Sequence, residues 1–213
     1  MALNRKHALF IEAILCSFAF MVFSFFIHYQ FPFYLLSVTA LIIPAFFFSR
    51  NLQSLSDLKI IIVGSSSPKI IILYCIAGVL TGVLFAVMYR WHLDISLFPK
   101  SFHLFVIVAA LIGCMEELVF RGFIQDYLKS TNGLFSILFS SISHTGYKCC
   151  LFLSPAVTTD INIGFLAFWT FIGGILFGTI KHFSKSLLPS LIAHALFDIL
   201  VYAGYIGAPW WVW

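Results

Sequence analysis

Glu116, Glu117, His144, His194 and Asp198 are the residues of this chain whose types could do acid–base chemistry from within apolar segments, with Arg121 beside them as a fixed cation. Two imidazoles and a carboxylate can bind a divalent, zinc-like metal and leave a position open for water. The same groups also work without metal. A carboxylate in a dry cavity can take a proton from a water. A His and an Asp can then polarise a carbonyl and stabilise its oxyanion. Both routes end in hydrolysis of an amide, and the choice between them stays open. The chain contains no HExxH and no G-x-S-x-G, so the common zinc-protease helix and the serine elbow are unsupported.

Spacing organises these residues. Glu117 and Arg121 stand i,i+4 with the acid first, the better order for a helical ion pair. Glu116 is turned about 100° away on the same helix and is free to face a cavity. His194 and Asp198 are also i,i+4 and share one helix face. Each has a plain structural reading: a brace for Glu117–Arg121, a hydrogen-bonded core histidine for His144, a helix lock for His194–Asp198. Together they are expensive. A central Asp or Arg costs roughly 2.5–3.5 kcal/mol in a membrane, and several cost on the order of 10 kcal/mol unless they pair or meet water. One shared polar cavity is the economical arrangement.

The elements that must position them are membrane helices. The chain has 213 residues, of which 9% are charged and 62% hydrophobic, with mean hydropathy +1.04. Soluble domains average about 25% and 45–50%, so a soluble globule is excluded. The 26 Phe and 18% aromatics exclude disorder. The expectation is an all-α polytopic transmembrane bundle, one integral membrane domain over 1–213. About seven spans fit, with eight if 50–69 or 147–160 hides another. Their approximate ranges are 8–29, 31–49, 70–89, 102–123, 133–146, 161–180 and 187–206. The basic start and long first apolar run suggest an uncleaved span rather than a signal peptide. Residues 50–69, 90–101 and 147–160 are expected as connections, with Ile60–Val63 dipping into the interface. Gly174 and Gly178 form a GxxxG that permits close packing. Pro209–Trp213 looks like an aromatic interface anchor. Five Cys without metal-type spacing suggest small buried hydrophobes at 16, 75 and 114.

Charge orients the chain. With the N-terminus inside, nine Lys/Arg fall on inside segments and three (Arg90, Lys100, Lys148) outside, which favours a cytoplasmic N-terminus in a bacterial-type inner membrane. A net charge of +4 without a basic run gives no reason to expect nucleic acid. Partners are the bilayer and a membrane-associated peptide or protein; oligomeric state is open. Glu12 is expected to snorkel to the surface, and Asp126 to lie at the interface. This topology brings Glu116, His144, His194 and Asp198 to one level in the cytoplasmic half.

Glu116-Glu117-Leu118-Val119-Phe120-Arg121 resembles the EExxxR signature of the CPBP (Abi) family. That family groups type II CAAX prenyl endopeptidases with bacteriocin-processing and immunity proteins. His194-Ala195-Leu196-Phe197-Asp198 is similar to its third signature, HxxxN/D, and Ser186–Ser190 is also typical. The second, FxxxH, is offset: Ser140 stands four residues before His144 and Phe139 five. The resemblance covers about 112–200. It implies an intramembrane endopeptidase core, with Glu116 activating water and His144 as its partner. It gives His194 and Asp198 the task of positioning a carbonyl or a metal, and Glu117 and Arg121 that of bracing the helix.

Two other functions compete. A non-catalytic member would act in bacteriocin immunity or as partner of a membrane complex, and the offset second signature keeps that reading open. A proton-coupled carrier would use Glu116, His144 and Asp198 as a relay, but carriers favour internal repeats and the charged motifs occur only in the second half.

Overall fold

Apolar runs in this chain become helices, and the breaks between them fall at proline, glycine and capping residues. The computed structural model describes residues 5–156 and 161–206. In chain order the helices are α1 (Arg5–Phe26), α2 (Tyr34–Ala40), α3 (Ile42–Asn51), α4 (Leu55–Val63), α5 (Pro68–His92) and α6 (Phe105–Glu117). A π-helical stretch (Leu118–Ile124) leads into α7 (Gln125–Leu128), followed by α8 (Gly133–Leu153), α9 (Ile163–Ser184) and α10 (Leu188–Tyr202). No strand occurs among the described residues, and the molecule is an all-helical membrane protein. Arg5–Phe26, Tyr34–Asn51, Pro68–His92 and Ile163–Ser184 are long and apolar enough to cross a membrane, and α10 is a shorter apolar helix. The Pro209–Trp213 anchor lies outside the described residues.

Several boundaries differ from expectation for local reasons. The second span begins at Tyr34 and breaks at Leu41. Pro44 has no N–H to give to the carbonyl four residues back. Residues 50–69 are not simply a loop, because they contain α4. Its start is a capping box: Ser54 N donates to Asp57 Oδ2 (2.8 Å) and Asp57 N to Ser54 Oγ (3.4 Å). Gly64, at φ 77°, ends it in the left-handed conformation. The expected short span 133–146 runs on to Leu153 as α8, so the first half of the connection expected at 147–160 is helix. Four buried serines and Lys148 dilute its hydropathy, which disguises its length. Asn132 caps α8 by accepting from Leu134 N (2.8 Å) and Phe135 N (3.2 Å).

The chain divides into two compact units, whose boundaries fall inside α4, the π-helical stretch and α9. The first holds residues 1–58 and 122–175. There α1 packs on α2, α3, α7 and α8. Ser17 Oγ donates to Ser143 Oγ across α1 and α8 (2.9 Å). Phe48 stacks on Phe123 at 4.0 Å. Glu12 does not snorkel: it is 6% exposed and accepts from Arg50 Nη2 at 2.5 Å. The helical hairpin supplies the countercharge that the first span alone lacks. Gly174 serves close packing as expected, since a Cβ there would stand 2.9 Å from Ser141 Cβ.

The second unit holds residues 59–121 and 176–213. In it α10 packs on α5 and on α6. The turn before α10 is tied to the end of α4 and the turn that follows it. Leu187 N and Ser186 Oγ both donate to Ile62 O (3.0 and 2.8 Å), and Ser66 Oγ donates to Ser184 O (2.7 Å). Two basic residues placed in connections by charge sorting are helical and buried here: Lys181 in α9 and Arg90 in the last turn of α5.

Candidate functional site

Five of the six residues singled out by spacing meet in the second unit. Glu116 and Glu117 end α6, Arg121 lies in the π-helical stretch, and His194 and Asp198 lie one turn apart in α10. All five are buried, with Glu117 and Arg121 at 0% exposure. Arg121 Nη1 stands 3.2 Å from Glu117 Oε1, so the wider π turn keeps the i,i+4 pair together. Such turns recur at functional sites, where they re-aim side chains.

Tertiary packing adds a contact that spacing does not give. The same Glu117 Oε1 lies 3.0 Å from His194 Nδ1. A carboxylate paired with a guanidinium can only accept, so Nδ1 carries the proton and donates. Glu117, expected only to brace its own helix, therefore also fixes the ring of His194 on α10. Nε2 then faces the other two carboxylates: Glu116 Oε2 at 3.9 Å and Asp198 Oδ2 at 3.7 Å. Both separations are too long for a direct hydrogen bond and suit groups that share one small bridging molecule. Aromatic rings complete the setting, with Phe177 5.2 Å and Phe197 6.4 Å from the imidazole.

Gly113 was not singled out by sequence. A Cβ at this position would collide with Asp198 Oδ2 and stand 3.0 Å from His194 Cδ2. It lies three residues before Glu116 and four before Glu117, on the α6 face that carries the acids. That spacing is the signal that could have found it.

His144 belongs to the first unit. It is buried on α8 at 4% exposure, and its ring lies parallel to Tyr147 at 6.4 Å. α8 is regular from Gly133 onward, so no irregular turn absorbs the offset of the second signature. Phe139 packs on Phe10 and Phe135, and Ser140 is buried. No group of three or more His, Cys, Asp or Glu able to hold a metal ion occurs among the described residues.

Comparison with curated proteins and with solved structures gives no match. Comparison with family models does: residues 98–200 match the type II CAAX prenyl endopeptidase Rce1-like family. The matched segment contains all six candidate residues and leaves α1 to α5 outside it. Over this segment, a little under half of the chain, the protein is similar to that family of membrane endopeptidases.

Proposed function

We propose that this protein is an intramembrane endopeptidase that hydrolyses a peptide bond of a membrane-associated or lipidated peptide. The observation that carries the reading is the buried imidazole of His194, held at Nδ1 by Glu117 and facing Glu116 and Asp198 at Nε2. Glu116 takes a proton from a water as its oxygen attacks the carbonyl carbon. His194, protonated on both nitrogens, donates Nδ1–H to Glu117 and Nε2–H to the developing oxyanion. Asp198 orients the imidazole from the neighbouring turn. When the C–N bond breaks, Glu116 returns its proton to the leaving amine, and the atoms balance as one water consumed per bond cleaved. Arg121 offsets the charge of Glu117. His144 enters as partner of Glu116 on its sequence signature alone. A divalent cation would supply Lewis-acid polarisation of the carbonyl if one bound, and no step above depends on it.

The test is reconstitution of the full chain in liposomes with a farnesylated C-a-a-X peptide, chosen from the family description. Release of the C-terminal tripeptide by the native chain, and its loss in Glu116→Gln and His194→Ala at equal membrane yield, is the expected result. Biological activity that survives both substitutions would sink the proposal and favour the non-catalytic reading.

A further inference from the structure

Arg90 is a buried guanidinium that the chemistry above does not use, and it lies outside the family-matched segment. From the last turn of α5, its Nε donates to Ser96 O (2.7 Å) and its Nη2 to Ser96 Oγ (3.2 Å). Its Nη1 donates to Leu200 O (2.9 Å) and Val201 O (3.4 Å). Those two carbonyls belong to the last turn of α10 and have no acceptor task within that helix. A cation there also meets the negative end of the helix dipole. Leu200 lies two residues beyond Asp198 and six beyond His194, about 3 and 9 Å along the helix axis.

The same α5 meets α10 at a second, independent place. The backbone at Gly82 lies under Ala193 O, and a Cβ on Gly82 would stand 3.0 Å from Ala193 Cα. Gly78, one turn earlier, lies under Pro189 O. Ala193 adjoins His194 in sequence. Carbonyls bonded at the C-terminal end and a close backbone approach nearer the N-terminal end constrain the helix's translation and rotation together. The tolerance at the site is narrow: the His194–Glu117 contact is 3.0 Å, and a slide of about 1 Å would break it.

We propose that α5 sets the axial register of α10, with Arg90 as the positioning residue that keeps His194 and Asp198 against Glu116 and Glu117. The rate arm of its test rests on the endopeptidase reading, whereas the spectroscopic arm does not, so failure of one is separable from failure of the other.

The experiment compares Arg90→Met and Arg90→Lys with the native full chain in liposomes. One readout is hydrolysis of the farnesylated C-a-a-X peptide. The other is the ¹⁵N resonance of histidine-labelled protein, with His194 assigned by difference from His194→Gln. Arg90→Met is expected to lower kcat about 10²-fold, leave KM unchanged, and move the His194 Nδ1 resonance off its carboxylate-bonded position. Arg90→Lys is expected to restore most of both, because an ammonium can still donate to one of the carbonyls. Native kcat with an unchanged resonance in Arg90→Met overturns the proposal. So does equal impairment of Met and Lys variants with an unchanged resonance, which marks a stability cap only. If Arg90→Met does not accumulate, Gly82→Ala decides, since its Cβ presses on Ala193 and should produce the same two changes. If the native chain cleaves no peptide, the resonance decides alone.

Discussion

Adjacent residues on a helix point about 100° apart, and Glu116 and Glu117 use that angle to face different atoms of one imidazole. Their substitutions should separate cleanly. Glu116→Gln keeps the volume and removes only the base, so hydrolysis should fall by about 10²–10⁴-fold while the melting temperature in detergent stays unchanged. Glu117→Gln leaves the fully buried Arg121 without its carboxylate. Removing one partner of a buried pair costs about 3–5 kcal/mol, so this variant should melt markedly lower and accumulate poorly. Equal melting of the two variants would contradict the assignment of Glu117 as the structural acid. Gly113→Ala should cost about 1–3 kcal/mol through overpacking, because its Cβ meets the Asp198 carboxylate, and should lower activity; normal activity and normal melting would show that α6 can yield there. The i,i+4 pairs were legible from sequence because helical periodicity is local. The Glu117–His194 bond was not, because it depends on how α6 packs on α10.

At the scale of the element, caps and breaks decide where helices begin, and at α4 and α8 the cap is a side-chain hydrogen bond. The Asp57 carboxyl is held below the usual carboxylate range chiefly by its hydrogen bond from Ser54, with backbone N–H groups of Ser54 and Gln53 adding to it and partial desolvation opposing. A carboxyl depressed in the folded state stabilises α4 above the unfolded pKa and loses that contribution as pH falls through the folded value. Amide exchange in residues 55–63 should therefore speed up as pH drops below about 4, after correction for intrinsic exchange. Asp57→Asn should flatten that dependence; a persistent pH dependence in the variant would assign it to another group. Asn132→Ala should destabilise the start of α8 by about 1 kcal/mol, read as faster exchange at Leu134 and Phe135. A hydropathy window misses α4 because it is short, and truncates α8 because serines line its buried face.

For the molecule as a whole, the nine-to-three division of basic residues predicts a cytoplasmic N-terminus. A fluorescent reporter that matures only in the cytoplasm, fused before Arg5, should light up, and a dark but intact fusion would reverse the orientation. Composition by itself determined the setting: so few charges and so much apolar surface are stable in lipid, and the long apolar runs suit helices, where each backbone polar group is satisfied within its own segment. Sequence also determined which residues are costly there, and their spacing and order carried the resemblance to a family. Tertiary structure decided how those costs are met. It paired Glu12 with Arg50 across a hairpin, set His194 on Glu117, and placed Arg90 under the end of α10. Each contact joins residues far apart in the chain, and pairwise choices of that kind follow from helix packing, which no local period of the sequence encodes.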